Sequence, residues 1–136
     1  MKSMTKKRMP FILLAAGGLL ATGTIVAAQN VELQMLSGLS KGEWTLKYRD
    51  GSPSSKICVR SGQELIQVRH NQRGCNRYIV TDTASEVEVQ YSCRGDGYGN
   101  TRVRRETSDL IQIESSGIAD GKNFRLFAEA RRTGSC

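Results

Sequence analysis

The sequence lacks the residue patterns by which most enzymes and nucleotide-binding proteins are recognised. It has one histidine, His70, and no Gly-Lys-Ser or Gly-Lys-Thr. The glycine-rich stretch Gly95-Asp96-Gly97-Tyr98-Gly99 is followed by residues with a strand pattern, whereas a phosphate-binding loop opens a helix. We therefore predict a flexible loop between strands there, and no cofactor.

Cysteines are few, and their spacing excludes the usual metal and redox motifs. Successive cysteines are separated by 16, 17 and 42 residues. Structural zinc sites take ligands in pairs two to four residues apart, and redox pairs are typically Cys-x-x-Cys. The sequence thus predicts no metal site. His70 is expected at the end of a short helix, on the surface, where a structural role is commoner than a catalytic one.

Long apolar runs are also scarce, and the single one lies near the start. Lys6-Lys7-Arg8 precedes the apolar run Phe11 to Val26, and Ala27-Ala28 follows it. A basic leader, an apolar stretch and small residues are typical of an export signal. Glycines and threonines dilute the run, which is shorter than the roughly 20 strongly apolar residues of a membrane span. We predict a signal peptide over residues 1–28 and one mature domain over 29–136, with an uncleaved anchor as the alternative.

Export to an oxidising compartment predicts that Cys58, Cys75, Cys93 and Cys136 form two disulfides. Three pairings are possible. A short helix between the first two cysteines favours Cys58–Cys75 with Cys93–Cys136, and Cys75–Cys93 across a hairpin is the main alternative.

Basic residues exceed acidic ones, but without the clustering that nucleic-acid binding requires. The formal net charge is +7, and four of the 20 basic residues lie in the leader, which leaves 16 basic against 13 acidic residues. The densest run is Arg102, Arg104 and Arg105. In a strand, Arg102 and Arg104 share one face, which we interpret as solvated, with an anionic partner as the alternative.

Alternation of apolar and polar residues predicts a mainly β domain of about seven short antiparallel strands. The clearest pattern places Val87, Val89, Tyr91 and Cys93 on one face. Similar patterns occur at 42–49, 57–59, 75–80, 101–107, 110–115 and 124–131. Regular turn signals without interleaved helices predict a meander, as an open curved sheet or a small barrel. Trp44 is expected to anchor the core.

Two helical segments are predicted beside the sheet. Ser61-Gly62-Gln63-Glu64 fits a capping box, and Leu65, Ile66 and Arg69 extend this helix to about two turns before Asn71. Val31 to Ser40 is mildly apolar and is compatible with a short helix over one end of the sheet.

Several of these residues together resemble a known family. Gly42-Glu43-Trp44, the four cysteines in order and the ending Arg131-Arg132-Thr133-Gly134-Ser135-Cys136 resemble small exported bacterial proteins grouped as a domain of unknown function, thirty-six seventeen in that series. The resemblance covers Gly38 to Cys136, and Ser135 stands where relatives commonly have proline. It implies a periplasmic location in a Gram-negative cell and implies no activity.

These features predict a non-enzymatic binding or accessory module of the cell envelope. Arg102, Arg104 and Tyr98 are the candidate partner-binding residues. An open sheet favours a protein or anionic glycan partner, with inhibition of an envelope hydrolase as one version, and a closed barrel favours a small apolar ligand. The rival hypothesis is a carboxylate-dependent hydrolase, which requires two converging carboxyl groups, one with a raised pKa.

Overall fold

The protein is a single antiparallel sheet of seven strands, here in a computed structural model that describes residues 32–136. The predicted signal peptide lies outside the described residues. The strands are β1 (Gly42–Tyr48), β2 (Ser55–Val59), β3 (Asn76–Asp82), β4 (Glu86–Cys93), β5 (Gly97–Thr107), β6 (Leu110–Ala119) and β7 (Lys122–Gly134). A short helix, α1 (Gln34–Ser37), precedes them, and one 3₁₀ turn spans Gln63–Leu65. The mainly β prediction is confirmed. Among residues 32–136, no helix has the length and apolar character of a membrane span.

The sheet is open, and its strand order is β2-β1-β7-β6-β5-β4-β3. Strands β3 to β7 form the predicted meander, and β1 lies between its hairpin partner β2 and the last strand β7. The sheet edges are therefore β2 and β3, and residues 60–75 connect them. Leu65 and Ile66 in this connection are fully buried, so it fills the space between the two edges.

The core lies on the face that the alternation predicts. Its fully buried side chains include Trp44, Leu46, Val87, Val89, Val103, Ile111 and Ala130. The indole Nε1 of Trp44 donates to the carbonyl oxygen of Ser40 at 2.9 Å, which satisfies the one polar atom of this anchor. The predicted role of Trp44 is confirmed.

Helix α1 covers one end of the core and is capped from a distant strand. Met35 and Leu36 are buried, and Leu33 at the N-cap position makes no side-chain cap. The carboxylate of Asp82 instead accepts from the backbone N–H of Gln34 at 2.9 Å and of Met35 at 3.3 Å. Asp82 ends β3, so this contact fixes the helix to one edge of the sheet.

Replacing Asp82 by alanine is expected to lower the free energy of unfolding by about 1 kcal/mol, because two helical N–H groups lose their acceptor. Urea denaturation followed by Trp44 fluorescence measures the loss. Asp82→Asn keeps a side-chain oxygen and is the matched control, with a smaller expected loss. Equal losses in the two variants would contradict the capping role.

The helix predicted from Ser61 is shorter than expected. Glu64 Oε1 accepts from the backbone N–H of Ser61 at 3.4 Å, as in a capping box, but the hydroxyl of Ser61 accepts from Gln63, one residue too early. Gly62 has a φ of 86°, which no right-handed helix accommodates. Leu65, Ile66 and Gln67 are buried in succession, and three consecutive residues cannot share one helix face. The chain therefore turns into the interior after a single turn.

The predicted flexible loop at Gly95 to Gly99 is also wrong. Strand β5 begins at Gly97, and only Arg94 to Asp96 form the turn, closed by a bond from the N–H of Asp96 to the carbonyl of Cys93 at 3.2 Å. Tyr98 consequently lies within a strand, opposite Ser92 on one side and Ile118 on the other.

The favoured disulfide pairing is wrong, and the alternative is found. Cys75 bonds Cys93 with Cα atoms 4.4 Å apart, and Cys58 bonds Cys136 with Cα atoms 5.5 Å apart. Cys75 precedes β3, which pairs with β4, so it lies beside Cys93. Glu43 of β1 lies between Cys58 and Gly134, which brings the C-terminus to β2. The two disulfides indicate an oxidising environment outside the cytoplasm.

Candidate functional site

Two exposed tyrosines lie on the outer face of the sheet, where β3 to β6 run side by side. Tyr78 is 69% exposed and Tyr98 is 57% exposed. Side chains of the same face surround them, and we call this set the tyrosine face: Asn76, Tyr78, Gln90, Ser92, Tyr98, Asn100 and Ser116. It borders a groove of about 580 Å³. Aromatic rings among uncharged hydrogen-bonding groups form a surface suited to a ligand with both apolar and polar parts.

Strand register places these residues in two adjacent rows. Tyr78 is opposite Gln90, Gln90 is opposite Asn100, and Asn100 is opposite Ser116. In the neighbouring row, Asn76 is opposite Ser92, and Ser92 is opposite Tyr98. The tyrosines are thus two strands and one row apart, and at ordinary sheet spacings their Cα atoms are separated by about 12 Å.

Glycines shape the sheet beneath the groove. Tyr91, on the inner face of β4, lies against Gly99 on β5, and a Cβ at Gly99 would overlap its phenol ring. Gly117 likewise allows the backbone of β6 to approach Tyr98 and Gly99 closely. The glycine-rich segment is therefore part of strand β5. Its glycines, which have no Cβ, allow neighbouring groups to approach the backbone closely.

A chain of polar contacts orients Asn100. Its Nδ2 donates to Glu88 Oε1 at 2.9 Å, and the other carboxylate oxygen of Glu88 accepts from Arg102 Nη2 at 2.8 Å. The bond from Asn100, and then that from Arg102, hold the pKa of Glu88 below its usual value, with burial opposing them. Because a carboxylate only accepts, the atom of Asn100 facing away from Glu88 is the carbonyl oxygen Oδ1.

This Oδ1 atom is a buried acceptor without a partner. Among the buried side-chain nitrogen and oxygen atoms of residues 32–136, it alone makes no hydrogen bond. Most buried polar groups in native proteins are satisfied, and an unsatisfied one costs about 1–3 kcal/mol. An unpaired acceptor on a residue that lines the groove suggests a place where a ligand donates.

The predicted basic face carries little free charge. Arg102 is paired with Glu88, and its Nε lies 3.8 Å from Glu86. Arg104 Nη2 lies 3.4 Å from Glu106. Both arginines are exposed and share a face, as expected, while Arg105 turns to the other side and donates to the carbonyl of Gly38 at 3.3 Å. Their role in partner binding stays a prediction.

A second cavity, of about 810 Å³, lies between the sheet edges. Side chains that line it form hydrogen bonds with one another. Arg77 Nε donates to Gln67 Oε1 at 2.8 Å, and a second bond from its guanidinium reaches Gln63. Burial lowers the pKa of Arg77, and the charge of Glu64 opposes this shift. The amide Nε2 of Gln67 lies 3.0 Å from the sulfur of Cys75. These contacts hold β3 against the connection formed by residues 60–75. We therefore interpret the cavity as a feature of how this connection packs, and not as a ligand site.

His70 is fully buried, and its predicted surface position is wrong. Its Nε2 donates to the carbonyl oxygen of Ile118 at 2.9 Å, and its Nδ1 lies 2.9 Å from the hydroxyl of Tyr91. Burial raises the pKa of Tyr91, while bonds from Ser115 and Thr101 act in the opposite sense. Both ring nitrogens of His70 are engaged, which is typical of a structural histidine. The helix that was expected to expose it ends before reaching it.

The described carboxyl groups with shifted pKa values do not fit a general acid. A hydrogen bond from Lys56 lowers the pKa of Glu43, and one from the backbone of Ser52 lowers that of Asp50. With Glu88, these three shifts have the sign opposite to that required by the hydrolase hypothesis. In the part of the chain that the structure describes, no three His, Cys, Asp or Glu side chains are placed to hold a metal ion.

Comparison of the chain with protein-family models, with curated proteins and with solved structures gives no match.

Sequence reasoning named one member of the tyrosine face, Tyr98, and missed the others. The alternation over 75–80 predicts a half-buried strand, but β3 is an edge strand and Tyr78 is exposed to solvent. A register shift between Ile79 and Thr81 also interrupts the alternation there. The sequence does place Tyr78, Gln90 and Asn100 in three successive predicted strands. That they lie side by side in one row follows only from the strand register.

Proposed function

We propose that the protein is a non-enzymatic binding module of the cell envelope, working in the periplasm, and that it binds its ligand on the tyrosine face. The observation that carries the proposal is the pair of exposed tyrosines at one groove. Within residues 32–136 the exposed large hydrophobic residues are Tyr78, Ile79, Val80 and Tyr98, and of these Tyr78 and Tyr98 line the groove, whereas Ile79 is opposite Val89 of the inner face. Exposed aromatic side chains that border a common groove mark a binding surface.

The disulfides and the interior support the same class. Two disulfides fit a domain that works outside the reducing cytoplasm. Side chains fill the inner face of the open sheet, among them Trp44, Leu65 and Ile66, so an enclosed apolar ligand is less well supported than a surface ligand. The resemblance to the exported family of unknown function agrees with the location.

The tyrosine face is tested by replacing Tyr78 and Tyr98 together by alanine. After incubation with an envelope extract, the purified variant is expected to carry about one tenth of the material that the wild type binds, or less. The reason is that two exposed aromatic contacts are lost. Mass spectrometry of the co-purified material gives the measurement. Both side chains are exposed, so the variant should unfold at the same temperature as the wild type.

Arg104→Glu is the matched control on the same face of β5. It reverses an exposed charge whose only described partner is Glu106, and it should leave the bound material unchanged. Loss of binding in Arg104→Glu, with full binding in the tyrosine variant, would move the site to the arginines and reject the proposal.

A further inference from the structure

The chemistry of the groove points to a ligand class, an inference that rests on the proposed function. The tyrosine face offers two phenol rings with their hydroxyls, three side-chain amides and two serine hydroxyls, none of which is charged. Amides and hydroxyls both donate and accept. A ligand with many hydroxyl groups and apolar C–H faces matches this set.

The one charged residue that lines the groove does not present its charge there. The guanidinium of Arg77 bonds to Gln63 and Gln67 in the connection between the sheet edges. Among residues 32–136, no carboxylate lines the groove. Glu88, the nearest carboxylate that contacts the tyrosine face, is bonded to Asn100 and Arg102. Gln63 and Gln67 are neutral and do not line the groove, so the charge of Arg77 is directed away from the groove and is not paired within it. Uncharged contacts therefore dominate the surface that a ligand in the groove would meet.

Two contacts of different kinds are available to a sugar chain. The negative face of a tyrosine ring attracts the polarised C–H groups on the apolar side of a pyranose. Asn100 lies on the same face of β5 as Tyr98, two residues along, and a ligand hydroxyl that reaches its buried, unpaired Oδ1 would supply the missing donor. The Arg102–Glu88–Asn100 contacts fix the amide before binding, which reduces the entropy lost when the ligand is held.

The spacing of the tyrosines sets a minimum ligand size. The Cα atoms of the two tyrosines are about 12 Å apart, further than one sugar ring is wide, so simultaneous contact with both side chains favours a chain of sugars over a monosaccharide. A linear oligosaccharide lying across β4 spans them. We infer that the tyrosine face binds an uncharged oligosaccharide, with rings stacked on Tyr78 and Tyr98 and a hydroxyl donating to Asn100.

Isothermal titration with chitohexaose, cellohexaose and maltohexaose tests the inference on the disulfide-bonded domain. At least one hexasaccharide should bind, and Tyr98→Ala should weaken that binding by roughly tenfold, whereas Tyr98→Phe should retain it because the ring is kept. Asn100→Ala should also weaken binding. Since the contacts are uncharged, the affinity should change little between low and high salt.

Two other outcomes overturn the inference. No binding of any of the three hexasaccharides, while material from an envelope extract is still captured through Tyr78 and Tyr98, rejects the sugar and leaves the proposed function standing. Binding of the anionic polysaccharide polygalacturonate alone, weakened by salt and by Arg104→Glu, rejects an uncharged ligand. If capture does not depend on the tyrosines, both the ligand class and the proposed function fail.

Discussion

Replacing Cys58 and Cys136 together by serine is expected to lower the free energy of unfolding by about 4 kcal/mol. The bond closes a loop with a sequence separation of 78 residues, and cross-linking restricts the unfolded chain more as the loop grows. Domains of this size have total stabilities of about 5–15 kcal/mol, so the variant should be only marginally folded. We expect its Tm to fall by roughly 15–30 °C.

The position of this disulfide adds to its importance. It joins edge strand β2 to the C-terminus across the end of β1, and among the described strands β2 pairs with β1 alone. Without the bond, β2 is held by a single strand pair and by the packing of residues such as Val59. Its loss should therefore free the edge of the sheet, which native-state hydrogen exchange can detect as faster exchange in β2.

The other disulfide is the matched control. Cys75 and Cys93 are only 18 residues apart, so replacing both by serine should cost less, about 3 kcal/mol. Guanidinium denaturation of both double variants, with Trp44 fluorescence as the probe, gives the comparison. A larger loss in the Cys75→Ser/Cys93→Ser variant would show that local contacts, such as that of Gln67 with Cys75, outweigh loop length.

Much of the sheet can be predicted because its patterns are local. Val87, Val89 and Tyr91 alternate with polar residues, and this period alone identifies their inner face. Trp44 could be assigned to the core for the same reason. Turn residues such as Asp120-Gly121 then set the order of the meander, since Asp120 and Gly121 both adopt the positive φ that such turns require.

The pairing of the cysteines could not be predicted because it depends on a long-range neighbour. Cys58 meets Cys136 only because β1 lies beside β7, and no local pattern specifies that contact. His70 was misplaced for a related reason. The capping box predicts a helix. However, Leu65, Ile66 and Gln67 are all buried between the sheet edges, and three consecutive residues of a helix cannot all face the interior.

The tyrosine face depends on register in the same way. Tyr98 stood out in the sequence as an aromatic residue among glycines, yet its partner Tyr78 is 20 positions away by residue number, on a strand two places along the sheet. From the sequence alone, the glycines of this segment indicate a flexible loop. They instead permit close packing, and this difference can be measured.

Replacing Gly97 by alanine is expected to destabilise the domain by about 3 kcal/mol, although alanine is a minimal change. Gly97 has a φ of 118°, and a Cβ there would collide with the carbonyl oxygen of Ile118. That oxygen accepts the bond from buried His70, so the strain reaches the core. Urea denaturation gives the loss. Ligand affinity should fall as well, because Tyr98 is the next residue and its position on β5 would shift.

Gly95→Ala is the matched control from the same glycine-rich segment. Gly95 also has a positive φ, of 81°, but a Cβ there would contact nothing within 4 Å, so only about 1 kcal/mol of backbone strain is expected. If Gly97 belonged to a flexible loop, both variants would relax and lose equally little stability. A clear difference between them instead requires that β5 begin at Gly97 and hold Tyr98 against β6, on which the tyrosine face depends.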